Sequence, residues 1–210
     1  MFRYKSSMKS VTIAVMVILL CMICLVGATL ALFGDTADGA IGIITTAGDI
    51  KVDIVDATEE HNSLVGSYLR FRTSIEDQGD QEDQKVIFEP GATYYTEGFQ
   101  IENEGNVKIN FRLSVSDTIK TDEDVRVSIE EFNESFEIWL TTDPKNMDNA
   151  QRMTEFVDSL GAESISTDTY YLIIRMKEDA SNKFQGKTYK GIGVTVYAVQ
   201  GNVDITNVEE

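Results

Sequence analysis

Along most of the chain, apolar side chains recur at every second position. In IKVDIV (50–55), Ile50, Val52 and Ile54 alternate with Lys51 and Asp53. The longest run, VKINFRLSV (107–115), sets Val107, Ile109, Phe111, Leu113 and Val115 against Lys108, Asn110, Arg112 and Ser114. VRVSI (125–129), FEIWL (136–140), YYLIIRM (170–176) and GIGVTVYAVQ (191–200) repeat the theme. A strand sends successive side chains to opposite faces, so period two with Val, Ile, Phe and Tyr reads as half-buried antiparallel strands. Several such strands, punctuated by Gly, Asn and Asp clusters, predict an all-β fold: an antiparallel, jelly-roll-like β-sandwich.

One stretch has another period. NMDNAQRMTEFVDSLG (146–161) places Ala150, Met153, Phe156, Val157 and Leu160 at helical spacing, with an Asp or Asn to cap the start and Gly161 beyond the end. A minor helical insertion near 147–160, packed on the sandwich by its Met and Phe stripe, is the expectation.

The N-terminal pattern is different again. Arg3, Lys5 and Lys9 precede an uncharged run over 11–33, and the first acidic residue is Asp35. This is the basic region and apolar core of an export signal. The run could span a bilayer, so an uncleaved membrane anchor is the alternative. Residues 27–31, GATLA, supply a small-residue cleavage context with Thr29 at −3, Ala31 at −1 and Leu32 as the new N-terminus. No Lys or Arg cluster follows to stop transfer. Cys21 and Cys24 both lie in the apolar core, so cleavage leaves a mature chain without cysteine, and without a disulfide or thiolate nucleophile. The organisation read from these patterns is a signal helix over 1–31, a mature N-terminal segment over 32–40 and a single domain over 41–210.

The 210 residues carry 18 Lys+Arg against 35 Asp+Glu, a net charge of −17. Cleavage would remove three basic residues and no acidic one, making the mature chain more acidic still. Nucleic acid is thereby excluded as a partner, since neutralising phosphates needs clustered Lys and Arg. Such a charge keeps subunits soluble and mutually repelling until another interaction overcomes it. IEDQGDQEDQ (75–84) concentrates five carboxylates around Gly79 and reads as a solvated loop. Calcium at 76–83 is the sharper alternative, although the spacing departs from the EF-hand pattern.

Candidate chemistry is sparse. His61 is the only histidine, so no His-based zinc motif can be built, and no GxSxG elbow, GxGxxG or Walker pattern occurs. Carboxylate pairs of the glycosidase kind are always available among so many acids, but Trp139 is the only tryptophan. No metal or cofactor is implied, and a non-enzymatic protein is the expectation.

Three stretches, in order, carry a family resemblance. The first is GATLALFGDT (27–36), where the signal end meets Phe33 and Asp35. The second is EPGATYYTEGFQIENEGNVKINFRLSVS (89–116), with a turn at Pro90 and Gly91 and another spanning Asn103 and Gly105. The third is NKFQGKTYKGIGVTVYAVQ (182–200), in which Asn182, Phe184, Gln185 and Gly186 lead into a last strand ending at Ala198 and Gln200. Together they resemble the TasA/camelysin family of secreted biofilm-matrix and spore-coat-associated proteins of Gram-positive bacteria. The match covers about half the chain and leaves 117–169 without a motif. Each stretch also has a local reading. Pro90-Gly91 suits a type II turn, with Gly91 at positive φ. Asn103 to Gly105 reverses the chain. Gln200 shares the parity of Ile192, Val194, Val196 and Ala198, and is read as ending the core face by bonding backbone groups there.

The resemblance implies a jelly-roll subunit, matured by an ER-type signal peptidase, that self-associates into extracellular fibres with or without other matrix proteins. Membrane contact is then confined to the uncleaved precursor. In the family the new N-terminus acts as a donor strand in the next subunit. Here that segment is Leu32, Phe33, Gly34, Asp35 and Thr36, running on to residue 40, while 41–46 read as the first strand of their own domain. The family is also associated with metalloendopeptidase activity, for which this chain has no recognisable metal motif. A camelysin-type protease and a membrane-anchored β-sandwich adhesin are the competing readings.

Overall fold

Strand formation follows the alternating pattern over most of its length. The computed structural model describes residues 16, 41–45, 50–75, 86–121 and 126–205. The chain divides into two compact units, Met1–Thr36 and Ala37–Glu210. The export signal, the Thr29–Ala31–Leu32 cleavage site, the candidate donor residues 32–40 and the acidic loop 76–83 lie outside the described residues, apart from Met16. In chain order the domain contains β1 (Gly42–Thr45), β2 (Val52–Asp56), β3 (Leu69–Arg72), β4 (Val86–Ile87), β5 (Thr93–Thr96) and β6 (Phe99–Asn103). The long β7 (Ile109–Thr121), then β8 (Arg126–Ser128), the helix α1 (Ile129–Ser135) and β9 (Phe136–Thr141) follow. A 3-10 turn (Met147–Asn149), β10 (Gln151–Arg152), β11 (Phe156–Leu160), β12 (Ser164–Ile165), β13 (Tyr171–Met176) and β14 (Thr188–Gln200) complete it.

The fold is all-β, a jelly-roll-like sandwich of curled antiparallel sheets with one short α-helix among the described residues of the domain. Among the described residues, the larger sheet runs β10-β9-β13-β5-β3-β14-β7-β11, and the smaller runs β12-β6-β2. β14 organises the larger sheet. One of its edges pairs antiparallel with β7 from Tyr189 to Gln200. Its other edge is shared in succession by β4 at Thr188 and Tyr189, β3 at Gly191 and Ile192, and β1 at Thr195–Ala198. The β1 pairing is parallel, with Gly42 opposite Thr195 and Thr45 opposite Ala198. A Cβ at Gly191 would run into the Leu69 carbonyl, so β3 and β14 can close here only around a glycine.

The core lies between the sheets and gathers the alternating positions the pattern marks: Ile54, Ile109, Phe111, Leu113, Ile192, Val194, Val196 and Ala198 are all essentially inaccessible. β14 is buried on both faces near its end, because Tyr197 and Val199 form a second small cluster with Ile205. Arg112, opposite Tyr197 across the ladder, lies over that ring with its guanidinium 5.3 Å from the centroid. Beneath α1 sits an aromatic cluster centred on Phe88, which contacts the rings of Phe71, Tyr94, Phe132, Phe136 and Tyr189 at centroid distances of 4.4–6.0 Å.

The helical insertion expected near 147–160 is not formed. Those residues make a 3-10 turn and the strands β10 and β11 instead. Phe156 and Leu160 face the core as period-two neighbours, with Asp158 between them on the same parity, and β11 supplies the ladder partner for residues 109–113 of β7. The unpaired edge of a long strand outweighs helical spacing in a short amphipathic stretch. The helix stands instead at α1, where Ser128 caps the start by accepting from the Glu131 amide at 3.3 Å. Its last carbonyls, those of Asn133 and Glu134, accept from Lys177 Nζ at 2.8 and 2.9 Å.

Candidate functional site

The residues singled out by the resemblance fall at structural joints. Glu89 O accepts from Ala92 N at 3.1 Å around Pro90 and Gly91, and Gly91 has φ +78°. That hydrogen bond and the positive φ at the third turn position are type II geometry. Gly91 N also donates to Met176 O at 2.9 Å, anchoring the turn to the end of β13.

Asn103 is buried, and its amide is fully engaged. Nδ2 donates to Val107 O at 2.8 Å and to Gly161 O at 2.6 Å, while Oδ1 accepts from Gly105 N at 3.0 Å. A short polar side chain thus replaces the backbone partners lost where the chain reverses between β6 and β7.

In the third stretch, Phe184 is buried against Phe132 and Phe136, edge-on at 5.8 and 5.2 Å, while Asn182 and Gln185 are exposed. Gly186 has φ +71° and donates to Phe88 O at 3.1 Å. Lys183 forms an ion pair with Glu131, fastening this loop to α1. Ala198 is fully buried between Thr45 of β1 and Phe111 of β7. Gln200 departs from its expected role: it is exposed at the rim of the sheet rather than closing the core face. The chain turns there, Gln200 O accepting from Val203 N at 2.8 Å, and doubles back so that Ile205 covers the opposite face.

Strand edges are the other feature with functional reach. β2 is partly covered on its outer side, where Leu64 N donates to Ile54 O at 2.7 Å and Asp56 N to Asn62 O at 2.9 Å. β11 ends the larger sheet: it pairs with β7 on one side, and among the described residues no strand pairs with its other side. Val157 is exposed on it at 43%. Asp158 accepts from Ser159 N at 2.7 Å and from the Tyr170 hydroxyl at 3.4 Å, so a carboxylate sits on this strand and satisfies one of its amides. An unpaired strand of this length is a template for a further extended segment.

His61 lies in the loop after β2 at φ +46°, with Nδ1 buried and without a hydrogen-bond partner. Among the described residues no group of three or more His, Cys, Asp or Glu is placed to hold a metal ion. None of the described helices is long and apolar enough to cross a membrane.

The fold is an all-β, antiparallel sandwich, with Pro90, Gly91, Asn103, Phe184 and Ala198 at its turns and in its packing and Asn182, Gln185 and Gln200 exposed. No family model and no curated protein matches the chain. Among solved structures, the ASH/PapD-like domain 7 of human CEP192 is similar at 11% identity with a TM-score of 0.21, over 61% of this chain and 96% of that one. A β-glucosidase from Kluyveromyces marxianus, solved in complex with glucose, is similar at 12% identity with a TM-score of 0.22, over 68% of this chain and 18% of that one. Overlaps this loose leave the strand topology as the basis of the fold assignment.

Proposed function

We propose that this chain is the precursor of a secreted structural subunit of extracellular biofilm-matrix or surface fibres. After removal of the signal by a signal peptidase, the segment beginning at Leu32 serves as a donor strand for the next copy. The ordered motifs of the sequence support this reading, and the open edge of β11 is the structural observation that carries it. An extended donor gains a ladder of backbone hydrogen bonds along such an edge, while its side chains, Leu32 toward one face and Phe33 toward the other, seek apolar surface. Gly34 and Gly39 supply joints between donor and domain. Because donor and acceptor are different surfaces, the contact is heterologous and propagates as a filament. The acidic charge opposes premature association, so assembly waits on the specific contact.

The test compares chains starting at Leu32 and at Ile41 by negative-stain microscopy. The longer one forms fibres; the shorter one stays monomeric alone and shortens the fibres of the longer one when mixed, since it accepts a donor without offering one. A chain from Leu32 that stays monomeric under all assembly conditions, with the uncleaved chain as the only form on cells, overturns the reading.

A further inference from the structure

A cavity of about 280 Å³ opens beside β3 and β5, walled by Arg70, Arg72, Tyr95, Glu97, Tyr171 and the loop after β2. It lies apart from β11, and nothing in the assembly reading uses it. Its two acidic side chains are already engaged. The Asp56 carboxylate accepts from the amides of Thr58 and Asn62 at 3.1 and 3.2 Å, from Thr58 Oγ1 at 2.5 Å and from Asn62 Nδ2 at 3.2 Å. Glu97 accepts from Arg70 N at 3.2 Å and pairs with the Arg72 guanidinium at 3.5 Å.

The Arg70 guanidinium is different. It is exposed at the cavity, and among the described residues no carboxylate pairs with it. In a chain with about twice as many acidic as basic residues, such a guanidinium is a conspicuous free donor. Tyr95 and Tyr171 stand half-buried in the wall. The lack of a side chain at Gly98 leaves room for Tyr171, since a Cβ there would come within 2.9 Å of the ring and 2.7 Å of Thr169 Cγ2.

We propose that this cavity binds a single hexuronic acid unit. Tyrosine rings offer apolar planes to the C–H faces of a pyranose, and the Arg72–Glu97 pair offers both donors and acceptors to its hydroxyls. The planar fork of Arg70 matches a carboxylate in two-pronged fashion. The volume lies just below the usual span of ligand cavities, about 300–1,000 Å³, which suits one sugar ring rather than a larger molecule.

Calorimetric titration of the full chain with sodium glucuronate tests the proposal, with glucose and sodium acetate as comparators. Glucuronate binds, and each comparator binds at least about tenfold more weakly, because each lacks one half of the recognition. Arg70→Gln lowers glucuronate affinity about tenfold, leaves glucose binding unchanged and, being a surface change, leaves the melting temperature in place. Arg70→Lys, which keeps the charge and loses the fork, falls between the two. Titration with sodium alginate separates sources: binding to the polymer that depends on Arg70 identifies a chain unit as the ligand. Glucuronate binding no tighter than acetate, or polymer binding indifferent to Arg70→Gln, overturns the proposal.

Discussion

The side-chain amide of Asn103 reaches the carbonyl of Gly161 at 2.6 Å, tying the end of β6 to the turn that follows β11. With its bonds to Val107 and Gly105, this one side chain holds together two reversals of the chain far apart in sequence. Asn103→Ala takes the side-chain partner from the buried Gly105 amide and the half-buried Val107 carbonyl, and leaves the Gly161 carbonyl with Ser164 Oγ alone. It is expected to cost about 1–3 kcal/mol, read from the midpoint of urea unfolding. A loss under about 0.5 kcal/mol would show that water takes over the role.

Phe184 closes the aromatic cluster under α1, and its neighbour Gln185 faces solvent. Phe184→Ala is expected to lose about 3–5 kcal/mol through lost burial and the cavity left behind. Gln185→Ala should stay within about 0.5 kcal/mol. Equal effects in denaturant would remove Phe184 from the core as drawn.

The start of α1 gives a smaller, sharper number. Ser128→Ala removes the cap on Glu131 N and should cost about 1 kcal/mol, whereas Ser128→Asp should retain stability. Both are measured by thermal unfolding. A loss in the aspartate variant as large as in the alanine one would argue against the cap.

Burial pushes the Tyr189 phenol from 10.0 up to about 12, and burial also raises Tyr94. With the folded value above the unfolded one, this contribution is fully present below pH 10 and is lost as pH rises through 12. Tyr189→Phe keeps the ring stacked on Phe88, at 4.4 Å, and should flatten that alkaline decline. Asp56 works in the opposite direction. Burial tends to raise it, but hydrogen bonds from Thr58 and Asn62 outweigh burial and hold it below 3.8. Its contribution is present above 3.8 and fades as pH falls through the folded value, so Asp56→Asn should show a shallower acid loss in unfolding followed against pH.

On the assembly edge, Val157→Asp adds a second carboxylate beside Asp158. The concentration needed for fibre growth should rise about tenfold in light scattering, with the melting temperature unchanged. Unaltered growth would exclude β11 as the acceptor.

Much of this architecture was legible as alternation. The strands β2, β7, β9, β13 and β14 lie where Ile54, Phe111, Ile138, Ile174 and Val196 mark period two, because these positions face the core. What escaped was decided by neighbours rather than by local pattern. α1 begins inside a strand-like run, VRVSI, yet Ser128 and Glu131 stand at capping-box spacing, a signal masked by the preceding alternation. Phe156 and Leu160 satisfy helical and strand spacing alike, and the bare edge of β7 chose between them. Gln200 kept the parity of the core but lay where the chain turns away. Leu69 and Phe71 alternate with Arg70 and Arg72, but over only four residues, and β3 was not among the strands expected; that it lines a cavity with Tyr95 and Tyr171 depends on contacts distant in sequence.

Among the described residues β14 is the last strand in chain order, yet β1, β3, β4 and β7 all have it as a ladder partner. During synthesis these earlier strands have nowhere to complete their pairing, and the parallel contact of β1 must wait for almost the whole domain to appear. Closure of the larger sheet is therefore gated by the arrival of one late segment, which makes that step slow by topology. Until that segment arrives only the pairings that do without it can form, β2 with β6 and β9 with β13 among them, and the two halves of the larger sheet stay unjoined.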